Sequence, residues 1–252
     1  MAIALRKPAE IEKLRAANKI VAEALDLLRQ NTKAGISLKE LDAMAEDFIR
    51  SAGARPSFKG LYGFPSAVCC SLNNVIIHGI PTDYKLKDGD VIGYDIGTEL
   101  DGWFGDAAIT VGVGEITKED EALIACAKDT LYEAIDSIKV GMRFKELSLV
   151  LENSITSRGY VPLLDFCGHG IGKKPHEEPE IPNYLEGKSP KAGPKIKNGM
   201  VFCLEPMICQ KDGQKVILEN GWDVVSADGL RGSHYEHTVA VINGKAEILS
   251  KL

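Results

Sequence analysis

The segment YDIGTELDGWFGD, residues 94–106, carries Asp95 and Asp106 on either side of an Asp101-Gly102 pair. Asp-Gly between β-rich runs is the sequence of a two-residue type I′ hairpin turn. Counting outward from it pairs Leu100 with Trp103 and Gly97 with Asp106. Residues two apart on a strand share a face, so Asp95, Gly97 and Asp106 point the same way, with the aspartates diagonal neighbours about 7–8 Å apart. Burying two such charges costs on the order of several kcal/mol each unless something positive lies between them. The other reading is an edge hairpin whose aspartates face solvent.

Three further segments supply chemistry of the same kind. CGHGIGKKPHEEP (167–179) presents His169 in a glycine-rich loop, with His176 seven residues on. FCLEPM places Glu205 inside an apolar strand, where a carboxylate needs a partner, and SHYEHTVAV does the same with Glu236 at the head of a final strand, beside His237. Asp95, Asp106, His169, Glu205 and Glu236 form a hard oxygen and nitrogen ligand set without thiolate, suited to Mn, Fe(II), Co or Zn. Four carboxylates and one neutral imidazole balance two divalent metal ions. That charge balance favours a dinuclear site, with metals about 3.5–4 Å apart and a shared water made nucleophilic.

The elements that must position these residues are duplicated. Shifting the chain by 106 residues lays KAGISLKELDAMAEDFIRSAGARP (33–56) over KVGMRFKELSLVLENSITSRGYVP (139–162), identical at ten of 24 positions. Each copy follows a long helical segment, has a glycine turn, then Ser37 or Arg143 before an amphipathic helix that should stop at Gly53 or Gly159. After each helical pair the pattern turns β-rich with period two: 66–80, 88–100 and 103–113 in the first half, and 198–210, 222–227 and 235–249 in the second. The order α-α-β occurs twice. An α+β single domain over 1–252 is expected, with pseudo-equivalent halves of about 1–112 and 113–252 sharing one antiparallel sheet and a cleft between them.

Composition narrows the class further. Thirty basic against 36 acidic side chains, a formal charge of −6, give no broad basic field, so nucleic acid is not expected as a ligand. No segment approaches a membrane span, and the short apolar start MAIAL falls short of a signal-peptide core, so a cytoplasmic protein is expected. The six cysteines form no CxxC pair and read as reduced, mostly buried thiols.

With these residues in view, the chain resembles the bacterial type I methionine aminopeptidases. Asp95, Asp106 eleven residues later, GHGIG…HEEP, the EPM strand and YEHT occur in that family's order over nearly the whole length. The resemblance implies the pita-bread fold and removal of the initiator methionine from nascent polypeptides with a small second residue. It implies that Asp106 and Glu236 bridge two metals, that Asp95 chelates one, and that His169 and Glu205 complete the other. Carried over by position, His78 approaches the scissile nitrogen, His176 holds the substrate carbonyl, and Glu205 moves the proton released by the attacking water. The methionine pocket falls on Phe64, Cys69, His78 and Trp222, with Phe58 and Leu61 beside them. Phe58 and Leu61 stand where Cys and Tyr are usual, and Pro175 stands where an aromatic residue is frequent.

The resemblance also implies a monomer. The lysine-rich loop 189–197 reads as a solvated connection, with the anionic ribosome surface as its alternative partner. Xaa-Pro aminopeptidases and prolidases share the five ligands but usually carry an extra N-terminal domain, for which a first helix starting near residue 9 leaves no room. A non-catalytic binding module of the same fold would be expected to lose ligands, and all five positions are filled.

Overall fold

The computed structural model describes residues 3–187 and 189–251. The chain order is α1 (Pro8–Asn31), α2 (Leu38–Ser51), β1 (Arg55–Pro56), a 3₁₀ turn at Leu61–Gly63, β2 (Val68–Leu72), β3 (Val75–Ile77), β4 (Val91–Leu100) and β5 (Trp103–Gly112). The second half gives α3 (Lys118–Ser137), α4 (Phe144–Ser157), β6 (Val161–Pro162), β7 (Cys167–Gly170), β8 (Glu177–Pro182), β9 (Val201–Leu204) and β10 (Met207–Cys209). It ends with β11 (Lys215–Ile217), β12 (Val224–Ser226), β13 (Gly232–His234), β14 (Glu236–Ile242) and β15 (Lys245–Ile248). The strand carrying Glu236 is therefore followed by one more, β15.

The duplication is visible atom by atom. Helices α2 and α4 have bounds that differ by the 106 residues of the sequence repeat. Glu40 accepts from the Ser37 amide at 2.8 Å, and Glu146 accepts from the Arg143 amide at 2.7 Å, so each helix start has one orphan donor satisfied by its own third residue. Gly35 and Gly141 both sit at φ 94°, and Gly53 and Gly159 end the helices at φ 81° and 83°, a region in which only glycine is unstrained.

A nine-stranded antiparallel sheet runs β1-β4-β5-β14-β9-β7-β8, with β2 beside β4 and β15 beside β14. It joins both halves through the β5–β14 pair, Glu236 opposite Ala108 and His237 opposite Ala107. Period-two alternation sorts its two faces. Ile92, Tyr94, Ile96 and Ala107 pack with Val21, Leu25, Leu28 and Leu41 of α1 and α2. Phe202, Leu204, Val239 and Val241 pack with Leu131, Ile135, Leu147 and Leu151 of α3 and α4. The helices thus cover one face, and the alternate residues, Asp95, Asp106, Glu236 and Cys203 among them, point to the other. Two three-stranded sheets, β13-β10-β6 and β11-β12-β3, complete the molecule, the second pairing Val224 of the C-terminal half with Ile77 of the N-terminal half.

Candidate metal centre and substrate pocket

The hairpin fixes the first two acids. Asp101 and Gly102 both have positive φ, 51° and 73°, as a type I′ turn requires, and the register pairs Leu100 with Trp103, Gly97 with Asp106 and Asp95 with Ala108. The next strand brings Glu236 opposite Ala108. One residue past the Leu204–His237 pair, Glu205 comes level with Glu236 at the end of β9. A second row runs parallel to the first: Asp106, then Thr238, whose hydroxyl donates to the Asp106 carbonyl at 2.8 Å, then Cys203 opposite Thr238. Extending the Gly170–Phe202 pair by one residue adds His169. His169 therefore stands on strand β7, where the glycine-rich sequence had suggested a loop. Gly168 explains the composition: a Cβ there would meet the Cys203 carbonyl oxygen at 2.4 Å.

These rows gather a large uncompensated charge. Donor atoms of Asp106, His169, Cys203 and Glu236 lie within 4.8 Å of one another. His169 Nε2 is 3.4 Å from Glu205 Oε1 and 3.8 Å from Asp106 Oδ2. Burial pushes Asp95 up to about 7. Burial, and then the charges of neighbouring acids, hold Asp106, Glu205 and Glu236 well above the ordinary carboxylate range. His169 is pushed down to about 3 by burial and by His176, which leaves the neutral imidazole that ligates metals. Asp95 Oδ1, Asp106 Oδ1 and Glu236 Oε1 are buried without a hydrogen-bond partner. Orphaned carboxylate oxygens converging on a neutral imidazole are what a divalent cation satisfies, so the residues fit a metal.

Above this face lies a cavity of about 500 Å³. Its lining brings together every residue assigned to the metals, the catalysis or the methionine pocket: Phe58, Leu61, Phe64, Cys69, His78, Asp95, Asp106, His169, His176, Glu205, Trp222 and Glu236. Phe58, Phe64 and Cys69 form one buried apolar cluster, with Leu61, Ile80 and Trp222 packed against it and Phe64 edge-on to Trp222 at 5.1 Å. Phe58 is there because residue 97 is glycine: a Cβ on Gly97 would meet the Phe58 ring at 2.4 Å and Ser57 Oγ at 2.2 Å. Gly97 thus admits the pocket wall.

Two histidines flank the cavity on pinned loops. His78, at φ 59°, is pushed down to about 4 by burial and lies edge-on to Phe166 at 5.5 Å. The Gly79 carbonyl after it accepts from the Cys70 amide at 2.7 Å, and Asp223 Oδ1 accepts from the Ile80 amide at 3.0 Å. A non-glycine residue held at positive φ is strain that packing must pay for, and it clusters at functional sites. His176 follows a turn in which Glu177 accepts from the Lys173 and Lys174 amides and pairs with Arg6. Its ring meets that of His169 edge-on at 4.5 Å.

Four residues of the site went unnoticed in the sequence. Cys203 was one, although it stands two residues before Glu205 on the same strand face. His234, two residues before Glu236, lines the cavity with Nε2 4.0 Å from Glu205 Oε2. Tyr62, 79% exposed at φ 51°, lies parallel to the His176 ring at 6.2 Å. Asn18 of α1, packed against β5, accepts from the Asp106 amide at 3.2 Å, a long-range contact with no local signal. Glu99, on the acid face by parity, pairs with Arg55 and stays outside the cavity.

A buried acid-and-imidazole face beneath an apolar pocket is the site of a metal-dependent hydrolase. The chain belongs to metallopeptidase family M24, whose model matches residues 12–243. Within that family its similarity is to methionine aminopeptidases: 62% identity to that of Helicobacter pylori over all of both chains, and 44% to that of Clostridium perfringens over 98% of each. The solved structure of the Thermotoga maritima methionine aminopeptidase superposes with a TM-score of 0.96 at 35% identity, over all of both chains. The Pyrococcus furiosus prolidase shares the fold alone, with a TM-score of 0.80 at 23% identity over 98% of this chain and 65% of that one. Among the described residues no helix is long and apolar enough to cross a membrane.

Proposed function

We propose that this protein removes the N-terminal methionine from polypeptides whose second residue is small, using two divalent ions (Co, Mn, Fe or Zn). The observation that carries the reading is the junction of two unlike surfaces in one cavity. Orphaned acid oxygens and a neutral histidine form its floor, and an apolar cluster of Phe58, Phe64 and Cys69 forms its wall. Asp106 and Glu236 would hold both ions, Asp95 one, and His169 with Glu205 the other. When bound, the metals supply an activated water at neutral pH and polarise the substrate carbonyl.

The chain's own residues do the rest. Phe58, Leu61, Phe64, Cys69 and Trp222 take the unbranched thioether side chain, whose sulfur packs favourably against aromatic edges. His176 donates to the carbonyl oxygen as it gains negative charge, a contact worth most where water is excluded. His78, held neutral, faces the scissile nitrogen, and Glu205 carries the proton from water toward the leaving amine. Purified protein loaded with Mn(II) or Co(II) should cleave Met-Ala-Ser and leave Xaa-Pro peptides intact. Equal rates on the two would overturn the reading.

A further inference from the structure

The roles above leave Cys203 unused, although its sulfur groups with acids of the site. It is fully buried on the cavity face of β9, between Thr238 and His169. Its sulfur belongs to the group with Asp106, His169 and Glu236 within 4.8 Å, and Asp106 and Glu236 each keep an oxygen without a partner there. It also lies 3.4 Å from the Thr238 hydroxyl.

The direction of that contact follows from the next one. Thr238 spends its only hydroxyl proton on the Asp106 carbonyl, at 2.8 Å, so it can only accept from the thiol. The Cys203 thiol therefore donates to the Thr238 oxygen, with a Glu236 carboxylate oxygen within 4.8 Å of its sulfur. Charge balance separates a donor from a ligand. Asp95, Asp106, Glu205 and Glu236 already match two dications, and a thiolate would add a fifth negative charge to a buried site.

We propose that Cys203 is a positioning residue and not a ligand. It donates across the sheet face to Thr238, whose own hydroxyl holds the Asp106 backbone in place beside Glu236, and forms no bond to the metals. The proposal rests on the metal assignment of the preceding subsection. Partners of this kind typically change metal affinity by about 10–100-fold when removed.

The test is cobalt titration of metal-free protein, followed by calorimetry and by absorption, with Cys203→Ser and Cys203→Ala beside the wild type. Cys203→Ser keeps a donor and should hold Co(II) within about threefold of wild type, whereas Cys203→Ala should lose about tenfold or more. No sulfur-to-cobalt charge-transfer band should appear in the near ultraviolet. Such a band in the wild type, lost in Cys203→Ser, would make Cys203 a ligand and overturn the proposal. So would wild-type affinity in Cys203→Ala. If the alanine variant does not fold, Cys203→Ser decides alone, since a loss of tenfold or more despite a retained donor contradicts the role. Wild-type protein that takes up no cobalt sinks the metal assignment itself, which sets that failure apart.

Discussion

Asp106 shows how one residue carries opposite demands. It is 3% exposed, faces Asp95 and Glu236, has its amide held by Asn18 and its carbonyl by Thr238, and still keeps one carboxylate oxygen without a partner. The backbone contacts belong to the fold and would survive a change of side chain, while the orphaned carboxylate oxygen is the atom that a cation would satisfy. Asp106→Asn should therefore abolish peptide cleavage while the metal-free protein melts at the same temperature or higher, because a buried repulsion is relieved. Thermal melts in EDTA beside peptide assays check both halves, and near-normal turnover would refute the metal role. His176 makes the complementary case. If it donates to the carbonyl only as charge develops, His176→Ala should lower kcat by about 10²-fold, and an effect confined to KM would assign it to ground-state binding instead.

At the scale of elements, the hairpin β4–β5 presents acids on one side and admits the pocket wall on the same side through Gly97. A methyl group there would overlap Ser57 and Phe58, so Gly97→Ala should destabilise the protein by about 1–3 kcal/mol and raise KM for methionyl peptides, with a smaller effect on metal affinity. Unchanged KM would mean that Phe58 does not shape the pocket. This hairpin was legible because its information is local: an Asp-Gly turn sets the register, and period two sets the face. The four helices were legible through repetition, and the acids through the oddity of a carboxylate in an apolar strand. Strands β7 and β8 were not, because β7 is four residues long, half of them glycine, and is held by β9 rather than by any alternation of its own. Cys203 and His234 were missed for a related reason. A thiol or an imidazole in a β-rich run reads as core, and only the register of distant strands shows what it faces.

The whole molecule should record its buried acids as a dependence of stability on pH. Asp95, Asp106, Glu205 and Glu236 are all raised on folding, so their contribution is present at low pH and is lost as pH rises above the ordinary carboxylate range, for Asp95 through about 7. The histidines act in the other direction. His169 and His234, pushed down to about 3, and His78 and His237, pushed down to about 4, contribute stability above the ordinary value of 6.5 that is lost as pH falls below it. The two trends oppose each other in mildly acidic solution. Above the ordinary histidine value the acids continue to titrate, joined toward about pH 8.5 by the buried thiols, raised by burial and acting in the same direction, while surface carboxylates such as Glu133, drawn down by Arg158, are already ionised. Metal-free protein should accordingly lose melting temperature from about pH 6.5 upward. A divalent ion replaces the protons that these acids release, so its stabilisation should grow over the same interval. Differential scanning calorimetry in EDTA and in Mn(II), at several pH values between about 6 and 8.5, measures both slopes. A melting temperature that rises with pH in EDTA, or a Mn(II) increment that stays constant, would show that the buried acids are compensated by something other than a cation.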